Sequence, residues 1–222
     1  VKILVTRPEP GASATAARLA AMGHEPVLAP CLAINLLTPR LPEHPAALII
    51  TSSQAIPALP AQLHGVPVFC VGDATAGRLR QAGFGRVESA SGDAQDLLRL
   101  ITARRLPGLH VMAVGERHGI GLQRDLRAAG ISVIRRKVYA ARPLRALPSE
   151  ALRGLTQREI AAALFYSAES ARAFIRLQPG GTGGIDAIAL SPAIAAALQS
   201  LPWRAIRVAL APTEADLMAL IP

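Results

Sequence analysis

Aromatic residues are scarce. Four phenylalanines, two tyrosines and a single tryptophan make up 3% of the 222-residue chain, so leucine, isoleucine, valine and alanine must fill the core. Hydrophobic residues as a whole reach 51%. The scarcity argues against a nucleic-acid surface, where rings interleave with cations to stack on bases. Only two cysteines occur, Cys31 and Cys70. Their separation fits neither a metal knuckle nor a redox pair, and one pair makes no disulfide framework, so both read as buried thiols. The five histidines, His24, His44, His64, His110 and His118, are scattered without a ligand spacing. A surface or turn role is expected for each, and no metal site. No apolar run approaches the roughly 20 residues of a membrane span, and Val1 to Thr6 reads as a strand rather than a signal peptide. Long charge blocks and low-complexity tracts are missing as well. The expectation is a globular cytoplasmic protein that engages neither membrane nor nucleic acid.

Catalytic signatures are equally sparse. Thr6-Arg7-Pro8-Glu9-Pro10-Gly11 follows the first strand but is no dinucleotide fingerprint, and no Walker A sequence occurs. The run Val114 to Gly121 is glycine-rich with the wrong spacing, and Gly180-Gly181-Thr182-Gly183-Gly184 reads as a flexible loop. There is no Gly-x-Ser-x-Gly elbow, paired-acid motif or metal cluster. An enzyme of this composition works by positioning its substrate, with little side-chain chemistry.

What is abundant is arginine. Lys and Arg number 24 against 15 Asp and Glu, a net charge of +9, and 22 of the cations are arginine. That balance fits a polyanionic partner, nucleic acid, or simply codon usage that favours arginine and alanine.

Strand-like and helix-like runs alternate throughout. Lys2-Ile3-Leu4-Val5 precedes an amphipathic stretch from Ser13 to Met22, Leu48-Ile49-Ile50 leads into Ser53 to Leu59, and Val68-Phe69-Cys70-Val71 leads into Ala74 to Ala82. Asp93 is placed to cap a helix. The beat continues through His110 to Val114, Gly119 to Ala129, Ser132 to Val138, Ala162 to Tyr166, Asp186 to Leu190, Ile206 to Ala209 and a helix from Thr213 to Leu220. Such alternation predicts an α/β fold of parallel sheets covered by helices.

The chain also echoes itself. Leu19 to Val27 is matched by Leu126 to Val133, Ala47 to Ser52 by Ala163 to Ser167, and Val71 to Ala76 more weakly by Leu190 to Ala195. Two similar doubly wound domains of about 100 residues each are expected. A tandem cut near Pro107-Gly108 is one division. In the other, the Pro-punctuated segments Ala29 to Pro45 and Tyr139 to Pro148 are crossings between bodies.

Several strand ends break into small hydroxyl-bearing turns: Thr6-Arg7-Pro8, Thr51-Ser52-Ser53, Gly72-Asp73-Ala74-Thr75, Ser167-Ala168-Glu169-Ser170 and Ser191-Pro192. Strand carboxyl ends line the ligand crevice of an open parallel sheet. Unpaired N–H groups at each following helix start favour anions, although serine and threonine there also serve as ordinary caps. Arg135-Arg136-Lys137-Val138-Tyr139 sets three cations beside one of the two tyrosines where the chain leaves one body for the other.

In order and spacing these segments resemble uroporphyrinogen-III synthases: Leu4-Val5-Thr6-Arg7-Pro8, Ile50-Thr51-Ser52-Ser53-Gln54-Ala55, Val71-Gly72-Asp73-Ala74-Thr75-Ala76, Val138-Tyr139, Tyr166-Ser167-Ala168-Glu169-Ser170 and Ala211-Pro212-Thr213. The resemblance implies a HemD-like fold, two α/β domains joined by a two-stranded linker. Residues 1–34 with 144–222 form one domain, 39–138 the other, and 35–38 and 139–143 the linker. It implies a monomeric, cofactor-independent lyase that cyclises hydroxymethylbilane, a linear tetrapyrrole with eight carboxylates held in the interdomain cleft. Loss of the terminal hydroxyl as water leaves an azafulvene, which attacks the substituted position of ring D. A spiro intermediate then fragments and recloses with ring D inverted. Tyr139 matches the family's linker tyrosine, the acid for the leaving hydroxyl. Thr6, Arg7, Ser52, Ser53, Thr75, Ser167 and Ser191 are the expected substrate contacts. The turn Ser191-Pro192-Ala193 departs from the family's usual Gly and Thr, and since Pro192 has no N–H to donate, this wall is expected to bind differently. The competing expectation is a non-catalytic two-domain binding protein that closes on a small polyanion.

Overall fold

The computed structural model describes all residues, Val1–Pro222. In chain order the strands and helices are β1 (Lys2–Val5), α1 (Gly11–Ala21), β2 (Glu25–Leu28), β3 (Leu32–Leu36), β4 (Ala47–Ile50), β5 (Val68–Cys70), α2 (Asp73–Gln81), β6 (Val87–Ser89), α3 (Ala94–Arg104) and β7 (His110–Gly115). They continue as α4 (Ile120–Ala128), β8 (Val133–Pro143), α5 (Ser149–Thr156), β9 (Ile160–Phe165), α6 (Ala168–Leu177), β10 (Asp186–Ala189), α7 (Pro192–Leu198), β11 (Ala205–Val208) and α8 (Glu214–Met218). The chain divides into two compact units, Val1–Ala33 with Arg142–Pro222, and Ile34–Ala141. The boundaries fall inside β3 and β8.

Unit 1 holds a five-stranded sheet in the order β2-β1-β9-β10-β11, and every pairing in it is parallel. Parallel neighbours need crossovers, and the crossover helices cover both faces, so the strands are apolar on both sides. Ile3, Val5, Ala162, Leu164 and Ile188 face one core together with Leu19, Leu217 and Met218. Their alternates Leu4, Ala163, Phe165, Ala187 and Ala189 are fully buried on the opposite face, as a period of two requires. There the only tryptophan and two of the four phenylalanines meet. Phe174 stacks on Trp203 with ring centres 5.7 Å apart, and Phe165 meets both edge-on at 5.3 and 5.8 Å.

Unit 2 holds a six-stranded sheet in the order β3-β8-β7-β4-β5-β6. The pairs β8–β7, β7–β4, β4–β5 and β5–β6 are parallel. Leu48, Ile50, Val68, Cys70, Val111 and Ala113 pack to one side with Leu79 and Phe84. Ala47, Ile49, Phe69, Met112 and Val114 pack to the other with Leu97, Ile101, Leu122 and Leu126. Both cysteines are buried and unpaired; burial pushes the Cys31 thiol up to about 12 and raises that of Cys70.

The sequence echoes fall on spatially equivalent strands. They pair β9 with β4, the turn after β10 with that after β5, and α1–β2 with α4–β8. Laid on the sheets, β2-β1-β9-β10-β11 and β8-β7-β4-β5-β6 are one arrangement entered at different points. Unit 1 builds its two-strand half first, and unit 2 its three-strand half.

Local structure departs from expectation in a few places. Ser53–Ala58 is 3₁₀ with Pro57 inside it, because proline cannot donate the bond an α-helix would require there. The last helix is only Glu214–Met218, and Thr182 within the glycine-rich segment is buried in a 3₁₀ turn. His110, expected at a surface or turn, is 1% exposed in β7, its Nδ1 3.2 Å from the Gly108 carbonyl. The Asp93 cap forms a full capping box: its carboxylate accepts from Gln95 and Asp96 amides at 2.7 and 3.1 Å, and Asp96 accepts from the Asp93 amide.

Asp186 opens β10 fully buried, receiving Nε of both Arg204 and Arg207 at 2.7 Å. The Arg204 hydrogen bond, followed by that of Arg207, outweighs burial and holds its carboxyl below the ordinary carboxylate range. Its stabilisation is therefore complete above the unfolded value near pH 4 and lost as pH falls through the lower folded value. In an Arg204→Ala/Arg207→Ala variant, burial raises the Asp186 pKa instead, and the acid-unfolding midpoint followed by circular dichroism moves to higher pH. In urea titrations, Phe174→Ala costs about 3–5 kcal/mol, the range for a phenylalanine removed from a packed core, and Phe174→Leu clearly less.

Candidate functional site

In each unit, parallel register brings the strand carboxyl ends to one edge, and the sequence-predicted residues lie along these edges. In unit 1, Val5 pairs with Leu164, and Leu164 with Ile188. Thr6 and Arg7 therefore leave β1 beside the exit of β9 at Tyr166-Ser167, with Ser191 beyond β10 next in line. The crossover direction changes between β1 and β9, the position where open α/β sheets bind ligands. Thr6 is fully buried and donates its hydroxyl to the Leu164 carbonyl at 2.7 Å. It holds the two strand ends together and offers no free donor.

Ser167 is the N-cap of α6; its Oγ accepts from the Ser170 amide at 3.1 Å and donates to the Ser170 hydroxyl at 3.0 Å. Ser191 occupies the N-cap position of α7 without a side-chain cap bond, and Pro192 takes the first helical position, where a missing N–H costs no intrahelical bond.

Arg7 is set inside a network that sequence reasoning missed. Its Nη1 donates to Thr15 Oγ1 at 3.2 Å and lies 3.6 Å from Glu214 Oε1. Its guanidinium sits 4.1 Å over the Tyr166 ring, a cation–π distance. A Cβ on Gly11 would fall 2.4 Å from Arg7 Nε, so glycine there makes room for the guanidinium. Glu214 Oε1 also accepts from Thr15 Oγ1 at 2.8 Å and from the Tyr166 hydroxyl at 2.9 Å, and Oε2 accepts from Arg18 Nη1 at 2.7 Å. Burial above all raises the Tyr166 pKa, with Glu214 adding to the effect, so the phenol stays a donor. Thr15 and Glu214 are 199 residues apart, and no local pattern joins them.

Unit 2 repeats the arrangement. Ser52 caps the 3₁₀ turn as Ser167 caps α6: both are extended (φ −151°, ψ 138° and φ −150°, ψ 147°), and both accept a backbone N–H. Gly72 and Ser191 match likewise (φ −144°, ψ 162° and φ −156°, ψ 161°), neither with a side-chain cap. Ser53 Oγ accepts from Arg78 Nη1 at 2.8 Å, tying the turn after β4 to α2. The hydroxyl of half-buried Thr75 makes no hydrogen bond within the chain.

Tyr139 lies in register beside Gly115 at the end of β7 and is 5% exposed, part of the unit 2 core. A Cβ on Gly115 would meet Tyr139 Cζ at 2.7 Å, so the hydroxyl-bearing end of the ring rests on that glycine. The Tyr139 carbonyl accepts from the Glu116 amide at 2.9 Å, and Arg135 Nη1 donates to the carbonyls of Glu116 and His118 at 3.2 and 2.9 Å. Arg135 thus anchors the turn between Gly115 and Gly119, whereas Arg136 donates to the carbonyls of Arg40 and Arg135.

These features define a class first: a doubly wound α/β protein of two permuted units whose strand-end turns are furnished with hydroxyls, helix starts and arginines suited to anions. The family model for uroporphyrinogen-III synthase HemD matches residues 13–219. The chain belongs to that family. Its fold is similar to that of uroporphyrinogen-III synthetase from Helicobacter pylori, with 18% identity, 99% of this chain and 97% of that chain covered, and a TM-score of 0.68. A mutant uroporphyrinogen III synthase from the extremely thermophilic bacterium Thermus thermophilus is also similar, with 18% identity, coverage of 99% and 96%, and a TM-score of 0.50. No curated protein sequence matches the chain. No helix is long and apolar enough to cross a membrane.

The caps separate structural from ligand roles. Ser167→Ala should cost about 1 kcal/mol in urea titrations, the usual loss for a cap. Ser191→Ala and Thr75→Ala should leave stability within about 0.5 kcal/mol, because neither hydroxyl bonds to the chain, and any rise in KM they cause reports a ligand contact.

Proposed function

We propose that this chain is a uroporphyrinogen-III synthase, converting hydroxymethylbilane to uroporphyrinogen III with loss of water and inversion of ring D. The family match across residues 13–219 carries this reading and favours it over a non-catalytic polyanion-binding protein. The strand-end turns supply the matching chemistry. The substrate's eight acetate and propionate carboxylates call for many moderate donors spread over a surface, and the turns offer serine and threonine hydroxyls, helix-start amides and arginine.

In this reading Ser191 and Thr75, whose hydroxyls are not engaged within the chain, donate directly to substrate carboxylates. Ser52 and Ser167 present the amides of the turns they cap, and Ser53, held by Arg78, belongs to the first of them. Thr6 fixes the exit of β1, and Arg7 supplies positive charge there. The spontaneous ring closure gives the uninverted type I product, so the enzyme's principal work is to hold the chain folded with ring D presented through its substituted carbon.

Tyr139 is the proposed acid for the leaving hydroxyl. Its placement on Gly115 with only 5% of the residue exposed suits a positioned proton donor. The protein acts as a monomer without a cofactor.

The test is a coupled assay with freshly generated hydroxymethylbilane, followed by oxidation and separation of type I and type III porphyrins. An accelerated excess of type III is expected; type I alone at the spontaneous rate refutes the reading. Tyr139→Phe, which keeps the ring, should lower kcat about 10²-fold, the lower end of what a positioned acid contributes, in protein whose circular dichroism spectrum matches wild type. An unaltered kcat removes Tyr139 from the chemistry.

A further inference from the structure

Glu214 is bound the way a ligand carboxylate is bound. Four side chains from three parts of unit 1 converge on it: Thr15 and Arg18 from α1, Arg7 from the turn after β1, and Tyr166 from the end of β9. Its two oxygens are divided between them, Oε1 taking the hydroxyls of Thr15 and Tyr166 with Arg7 close by, and Oε2 taking Arg18. Two guanidinium groups serve one carboxylate, so the cluster keeps an excess positive charge with Glu214 in place.

Three of the four donors are held independently of their occupant. Arg7 is seated on Gly11 and on the face of Tyr166, Thr15 is fully buried within α1, and Tyr166 packs against the unit 1 core. The site is also open. The side chains of Glu214, Arg7 and Arg18 are 26%, 28% and 58% exposed. Glu214 is the first residue of a five-residue helix that is anchored further on by buried Leu217 and Met218. Rotation about the glutamate's own side-chain bonds empties the cradle without moving the helix.

We propose that Arg7, Thr15, Arg18 and Tyr166 form a binding site for an alkyl carboxylate, filled by Glu214 in the unliganded protein and taken over by an acetate or propionate side chain of the substrate. The identity of that ligand rests on the synthase reading; the cradle's preference for a carboxylate does not. Glu214 acts as an internal competitor. A tethered group has an effective concentration in the millimolar range or above, so a monocarboxylate reaches the cradle only weakly while Glu214 remains. A substrate held elsewhere by its other carboxylates is itself tethered and competes on equal terms. The exchange keeps an anion against the two arginines throughout, which spares the cost of leaving them uncompensated.

The chain has only two tyrosines, so ring-¹³C tyrosine labelling gives a two-signal spectrum, and a Tyr139→Phe control assigns Tyr166. Sodium propionate is titrated at constant ionic strength into wild type and Glu214→Ala, with neutral propionamide as the control. In Glu214→Ala the Tyr166 signal should saturate with propionate at a Kd at least tenfold below wild type and should ignore propionamide. Adding Arg18→Ala to that variant should raise the Kd again at least fivefold. Glu214→Gln, which keeps the side chain's volume, carries the same test if Glu214→Ala melts too low to titrate. An equal propionate Kd with and without Glu214, or an equal response to propionamide, overturns the proposal. The porphyrin assay on wild type stands apart: type III product with no gain in propionate binding sinks the cradle and leaves the synthase reading, whereas tight propionate binding without type III product does the reverse.

Discussion

Parallel pairing is the constraint from which the rest of this structure follows. A strand that must run beside its neighbour in the same direction has to return along the outside of the sheet, and the return is made by a helix. Helices on both sides bury both faces, so the strands become short runs of aliphatic residues such as Ala47-Leu48-Ile49-Ile50, every one of them buried. Because all those strands point one way, their carboxyl ends reach a common edge, and each next helix starts there. Packing thus delivers a row of unpaired amides and capping side chains without any demand from chemistry.

That origin explains the double character of the edge residues. Ser52 and Ser167 are needed by the backbone they cap, and Thr6 by the strand beside it. Ser191 at the start of α7 and Thr75 in the first turn of α2 keep their hydroxyls unspent. For a substrate studded with carboxylates a strong single site is unnecessary, since many weak contacts fix a flexible molecule in one conformation. Membership of the HemD family is consistent with a protein that has so few conventional catalytic groups.

The α/β class was legible because both of its signals are local: apolar runs of strand length and amphipathic runs with caps such as Asp93. The internal echoes were legible too, because equivalent strands keep equivalent turn chemistry in both units. The permuted strand order was not, since nothing in Leu19 to Val27 or Leu126 to Val133 says which neighbour each strand will take. Arg7 was recognisable as a turn arginine, but its engagement by Glu214 was hidden by sequence distance. Tyr139 stood out as a rare residue in a cationic run, whereas its seat on Gly115 depends on register between β7 and β8. His110 shows the limit of judging a polar residue by type alone, because its strand position placed it inside.

The permutation has a consequence for how the chain comes into being. Unit 2 is contiguous, Ile34–Ala141, whereas unit 1 joins Val1–Ala33 to Arg142–Pro222. On a ribosome, which releases a chain from its N-terminus, β1 and β2 emerge before unit 2 and before β9, so the β1 edge has no partner until β9 appears. Unit 2 has all its strands in hand well before then. The inserted unit is thus complete in the emerging chain while its host is still half made, and β1 gains its second neighbour only once β9 follows.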